Sequence, residues 1–146
     1  MSTAAGPGTP GPAARQDGAV DQRSPLDVVA DLLRVVRSGA DPDRAADLMA
    51  PEVLAHQGDS GVVVRRTPAD YADHVREMLA EHGPWEFTVT RLAPDGHDAV
   101  AAQWRQVGRL DPGTGRRVVE HGRARYTVRD GRVTEYVIAF DHVVEG

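Results

Sequence analysis

From Trp85 onward the apolar residues recur at every second position, and turn signals cut the stretch into segments set too close together for crossovers. Trp85, Phe87 and Val89 alternate with Glu86, Thr88 and Thr90, and Pro94-Asp95-Gly96 then turns the chain. Ala99 to Arg109 follows, then a loop at Asp111-Pro112-Gly113-Thr114-Gly115, then Arg117 to Arg129. Asp130-Gly131 is a two-residue hairpin signal, and Arg132 to Asp141 is the closing strand. Parallel neighbours need a crossover of about a dozen residues or more, so these strands pair antiparallel.

The first half has a helical period instead. Ser24-Pro25-Leu26-Asp27 reads as a capped helix start, Leu26, Val29, Ala30, Leu33 and Val36 recur at helical spacing, and Gly39 ends the run. A shorter helix begins at Asp41-Pro42, carries Ala45, Ala46, Leu48 and Met49, and stops before Pro51. Glu52 to Gln57 is extended. A third helix starts at Thr67-Pro68, buries Tyr71, Val75, Met78 and Leu79, and ends at Gly83-Pro84. The fold class is therefore α+β, three N-terminal helices packed on a mostly antiparallel sheet. The helices are too few to cover both faces, so one face packs on them and the other meets water or a second subunit.

Alternation splits the last strand into two sets. Val133, Glu135, Val137, Ala139 and Asp141 share one face; Thr134, Tyr136, Ile138, Phe140 and His142 share the other. The set with small residues and two carboxylates is expected to line a space. The bulky set, Tyr136, Ile138 and Phe140, is expected to form a homodimer through the outer sheet face. A one-residue bulge would invert this assignment.

Composition removes whole classes of chemistry. The chain has no Cys, and all 17 of its basic residues are Arg. Disulfides, thiol nucleophiles and lysine Schiff bases are excluded, which leaves Asp, Glu, His, Tyr, Ser, Thr and Arg, or a bound cofactor. No metal site is expected, because the histidines lack ligand spacing. The net charge of −5 argues against a nucleic-acid partner. It also disfavours an acidic substrate unless arginines gather locally. No apolar run approaches the ~18 residues a membrane span needs, so no membrane partner is expected. Residues 1–23, rich in Ala, Gly and Pro without the form of a secretory signal, read as a disordered tail. Residues 24–146 then form one domain, with a cytoplasmic location as the default.

Several strings carry a resemblance. Val53-Leu54-Ala55-His56-Gln57 and Tyr71-Ala72-Asp73-His74-Val75-Arg76-Glu77-Met78-Leu79 are two of them. Ala101-Ala102-Gln103-Trp104-Arg105-Gln106-Val107-Gly108 and the hairpin Tyr126 to Tyr136 complete the ordered set. In that order the chain resembles the SnoaL-like polyketide cyclases of the nuclear-transport-factor-2-like superfamily. The resemblance implies a cone-shaped α+β barrel around a pocket, no cofactor, and a carboxylate base on the last strand at the position of Asp141. It also implies alternatives: an epoxide-opening cyclase or epoxide hydrolase, marked by an Asp–Arg–Asp grip on a water, or a non-catalytic ligand-binding or dimerisation module.

The residues themselves suggest partners for such a base. Glu135 shares the strand with Asp141 at roughly 20 Å by strand rise, too far for a touching dyad. Walled by apolar groups, Asp141 would have a raised pKa suited to abstracting a proton from carbon. His56, at the end of the short strand, would orient a carboxylate or donate to an enolate. Trp104, Gln106, Tyr126, Trp85 and Tyr71 are candidate pocket walls for a small-molecule substrate, although core packing is the commoner role for each taken singly. The expected function is a cofactor-independent cyclase or isomerase of a polyketide-like natural-product intermediate.

Overall fold

Ser24 opens the first helix as the sequence suggests, its hydroxyl accepting from the Asp27 N–H at 3.1 Å. In the computed structural model, which describes residues 23–58, 60–109 and 115–145, this helix is α1, Pro25–Asp31. It continues through Leu32–Arg37 with wider π spacing, in which the Ser38 N–H reaches the Leu33 carbonyl. Val28, Val29, Leu32, Leu33 and Val36 form its fully buried stripe. Arg37, four residues after Leu33, lies on the same side, 2% exposed.

A 3₁₀ turn, Pro42–Arg44, leads into the short helix α2, Ala45–Leu48. Met49 does not continue that helix; it is extended and opens strand β1, Met49–Gln57. Pro51 accounts for the early exit, since a residue before proline is pushed out of the helical region. A second difference follows at Val63–Arg66, which pairs with β1 as the antiparallel strand β2. Its Val-Val-Arg-Arg sequence has no alternation to announce a strand, and its position comes from pairing. Helix α3, Pro68–His82, begins with a full capping box between Thr67 and Asp70, each bond 3.1 Å.

The meander comprises β3 (Glu86–Pro94), β4 (Ala99–Arg109), β5 (Arg117–Arg129) and β6 (Arg132–Glu145). At the hairpin, Asp130 and Gly131 both have positive φ, 54° and 76°. The six strands form one sheet in the order β2-β1-β6-β5-β4-β3, antiparallel except for the β1–β6 pair. The helices cover one face of this α+β fold. No helix among the described residues is long and apolar enough to cross a membrane. The proposed tail lies almost wholly outside the described residues, as does most of the Asp111–Gly115 loop.

Two bulges interrupt the meander. In β3 the pairing steps from Val89–Trp104 to Arg91–Gln103, leaving Thr90 extra. In β6 it steps from Val133–Val128 to Glu135–Thr127, leaving Thr134 extra. The second bulge inverts the expected faces of the last strand. Val133 is buried before it; after it, Tyr136 and Ile138 are buried on the helix side and Phe140 packs against the core. Val137 and Asp141 are exposed on the outer side. The bulky set proposed for a dimer contact therefore faces inward, and the outer face carries the small residues and carboxylates.

Gly122 illustrates how closely the inner face is packed. It sits in register between Trp104 and Phe140, and an added Cβ would overlap the Trp104 indole. The missing side chain lets the indole lie across β5. We expect Gly122→Ala to lower stability by about 1–3 kcal/mol through overpacking, read as a reduced urea midpoint with an unchanged m-value. An unaltered midpoint would show that the indole relocates freely.

Candidate active site

Alternation in β4 and β5 brings Ala102, Trp104, Gln106, Glu120, Gly122, Ala124 and Tyr126 to the concave inner face, all of them buried. Helix α3 closes over the same face with Tyr71, His74, Val75 and Met78, spaced so that they share one side of the helix. Between them is a pocket of about 370 Å³. Arg37 contributes from the end of the first helix, Gln57 from β1, Val64 and Arg66 from β2, and Tyr136, Ile138 and Phe140 from β6. The walls are largely apolar, and the polar groups are two guanidiniums, an imidazole, two phenols and one amide. No carboxylate lines the pocket among the described residues.

A buried polar cluster stands behind this lining. Arg37 Nη1 donates to Gln106 Oε1 at 2.7 Å, and Nη2 donates to Glu120 Oε2 at 2.8 Å. Trp104 Nε1 donates to the same carboxylate oxygen at 3.0 Å, and His142 Nε2 lies 3.3 Å from the other oxygen. Gln106 is 5% exposed and Glu120 6%. The guanidinium also lies 5.5–5.8 Å from the ring centroids of Phe87, Trp85 and Trp104, within cation–π range of each. Trp85 is fixed in turn by a 2.5 Å bond to the Ser38 carbonyl. Charge pairing, hydrogen bonding and aromatic faces together compensate the desolvated pair.

Three tyrosines pack beside the pocket. The Tyr136 ring centroid is 6.2 Å from that of Tyr71 and 5.6 Å from that of Tyr126. Burial pushes all three phenols above their ordinary pKa, so each keeps its proton. The Tyr126 hydroxyl is fully buried and has no hydrogen-bond partner among the described residues. His74, at the exposed side of the pocket, has its pKa pushed below the ordinary value. Loss of hydration is the main cause, with Arg66 and Arg37 adding to it and Glu77 and Glu120 opposing it. Its imidazole is thereby biased toward the neutral form.

The residues singled out by sequence separate into three groups. Tyr71 lines the pocket. Trp104, Gln106 and Trp85 hold Arg37, and Tyr126 packs deeper in the core. Asp141, Glu135 and His56 lie on the opposite face of the sheet. Asp141 is exposed and accepts from Arg123 Nη1 at 3.3 Å. His56 Nε2 meets Glu135 Oε2 at 2.5 Å, 32% and 43% exposed, while Val53 and Ala55, which precede it on the strand, are buried in the core. Expected beside Asp141 in a pocket, His56 instead meets Glu135, and neither residue lines the pocket. The bulge at Thr134 is the reason for Glu135 and Asp141.

Arg37, Arg66, His74 and Glu120 escaped the sequence reading. Glu120 shares the parity of Gly122, Ala124 and Tyr126, so alternation alone could have placed it inside. His74 lies three residues after Tyr71 on the packed side of α3. Arg37 follows Val29 and Leu33 at four-residue spacing, so the helical period already offered it to the packed side, but an arginine is seldom buried without a partner. Among the described residues no three His, Asp or Glu side chains gather as metal ligands.

Comparison with known proteins bears on this architecture. Among curated proteins, none matches the sequence. Among solved structures, the chain is similar to IdmH, "a putative polyketide cyclase from Streptomyces antibioticus", with 25% identity and a TM-score of 0.67 over 82% of this chain and 93% of that one. An LEH-like epoxide hydrolase of M. tuberculosis gives 20% identity and a TM-score of 0.62, covering 80% of this chain and 82% of that one, a likeness of fold. A polyketide-cyclase-like structure from Acidithiobacillus ferrooxidans gives 24% and 0.66 over 81% and 89%, again a likeness of fold. The sequence family described as the SnoaL-like domain matches residues 29–136. That match runs from the first helix into the last strand, through the elements that build the pocket, and the chain belongs to the SnoaL-like domain family.

Proposed function

We propose that the protein is a cyclase or isomerase of a polyketide-like intermediate, working by acid–base chemistry of its own side chains with His74 as the base. The observation that carries this reading is the pocket lining: an imidazole held toward neutrality, donors on several sides and no carboxylate among the described residues. A neutral imidazole takes a proton from carbon next to a carbonyl, and the electron pair moves onto the carbonyl oxygen. That oxyanion is met by the Tyr136 and Tyr71 phenols, which keep their protons, and by Arg37. Two outcomes close the cycle. The imidazolium returns its proton to carbon at a new position, an isomerisation. Alternatively, the enolate carbon attacks a second carbonyl of the same molecule and the resulting alkoxide takes that proton, an aldol ring closure.

The buried cluster defines what Arg37 contributes. Glu120 and Gln106 fix its guanidinium from behind, and the aromatic rings limit its freedom, so its remaining donors are held in place before substrate arrives. Epoxide hydrolysis has less support. Arg37 is held by one carboxylate, Glu120, and one amide, Gln106, rather than between two acids, and Glu120 is not among the residues that line the pocket.

Deuterium incorporation next to the carbonyl of a bicyclic aryl ketone, followed by NMR in D₂O, measures the first step without knowledge of the natural substrate. His74→Gln should lower the exchange rate by about 10² or more; a variant with wild-type exchange would remove His74 as the base. The pH dependence follows from the direction of the shift. The base is neutral above its lowered pKa, so kcat/KM should persist as pH falls through 6.5 and decline only below it. The same limb should be absent in His74→Gln. Because the unfolded chain binds this proton more readily, His74 also makes stability fall as pH drops below 6.5, with no contribution above it. An acid limb at or above 6.5 would contradict the reading.

A further inference from the structure

The charges lining the pocket are not balanced there, and Arg66 carries the surplus. Arg37 is matched by Glu120 at 2.8 Å, so that pair presents little net charge. Arg66 lines the same space from β2, half-buried, and among the described residues no carboxylate lies within ion-pair distance of it. Asp70 is near enough to feel its field, but the Asp70 carboxylate is engaged by the Thr67 N–H in the helix cap. The guanidinium instead approaches the Tyr136 hydroxyl, and His74 stands across from it on α3. A partly desolvated cation next to apolar walls is costly when unmatched. The groove on the outer face contrasts with this, since two of its arginines, Arg123 and Arg125, already pair with Asp141 and Asp95.

We infer that the substrate is a carboxylate: an apolar, ring-sized body held between Val64, Val75, Met78, Ile138 and Phe140, with its carboxylate on Arg66 and a phenolic donor beside it. This deepens the reading of the pocket as the substrate site and rests on it. A planar guanidinium meets a carboxylate through paired N–H donors, a geometry that discriminates against a neutral amide of the same shape. Holding the acid end at Arg66 also fixes which carbonyl of the substrate faces Arg37 and His74. The net negative charge of the whole chain does not oppose this, because the field inside the pocket is set by the groups that line it.

The test is equilibrium binding by calorimetry to the full chain, with 2-naphthoate and its neutral isostere 2-naphthamide as probes. Naphthoate should bind at least about tenfold more tightly than the amide, and the margin should shrink with added salt. Arg66→Gln should abolish the margin, and Arg91→Gln, on the outer face, should leave it intact. Failure of naphthoate to bind, equal affinity for the two probes, a margin kept in Arg66→Gln, or one lost equally in Arg91→Gln would overturn the inference. The wild-type contrast stands even if Arg66→Gln folds poorly, which thermal melting would reveal. No turnover enters these measurements, so a failed carboxylate preference and a failed role for His74 are told apart.

Discussion

The pairing of Arg37 with Glu120 is the interaction on which the concave side of the sheet depends. Two opposite charges lie 2.8 Å apart, each nearly sealed from water, and they join the end of the first helix to the middle of β5. Burying either alone would be prohibitive. Removal of one partner from such a pair typically costs about 3–5 kcal/mol, because the other is left uncompensated. The surrounding atoms are arranged around this requirement. Gln106 and the Trp104 indole occupy the remaining hydrogen-bonding directions, and three aromatic rings surround the guanidinium. Gly122 is needed for the Trp104 pose that reaches Glu120. A single ion pair thus dictates an aromatic residue, an amide and a glycine on neighbouring strands.

The strand boundaries of β4 and β5 were legible to the residue, because alternation and flanking turns both mark them. So were the capping box at Thr67 and the hairpin at Asp130-Gly131, where side-chain chemistry imposes local geometry. Strand β2 was not legible: Val63 to Arg66 is extended because β1 offers an edge, a fact about a partner rather than about four residues. The same distinction explains the site. The interior parity of Gln106 and Tyr126 could be read from the strand pattern, and Trp104 with them. The orientation of Asp141 could not, since Thr134 shifts the count and nothing in Val133-Thr134-Glu135 marks a bulge.

Physical separation between the two faces of the sheet has its own consequence for electrostatics. The carboxylates of the last strand and their arginines, such as Asp141 with Arg123, are solvated and weakly coupled. The inner groups titrate in a drier environment, where burial is the largest influence on the three tyrosines and on His74. The acidic composition of the chain therefore describes its exterior and leaves the pocket with a different sign of charge.

The π turn before Ser38 and the bulge at Thr134 are alike in one respect: each inserts a single residue's worth of offset into an otherwise regular element. The first lies in the turn that carries Arg37; the second turns Tyr136, Ile138 and Phe140 toward the helices. Side-chain identity upstream and downstream can be conserved while such an offset is gained or lost. In this architecture, then, a one-residue insertion or deletion exchanges the chemical lining of the cavity wholesale, whereas a substitution alters one group at a time. Divergence of ligand preference among such chains has a short mutational route through the backbone count, independent of which amino acids are encoded.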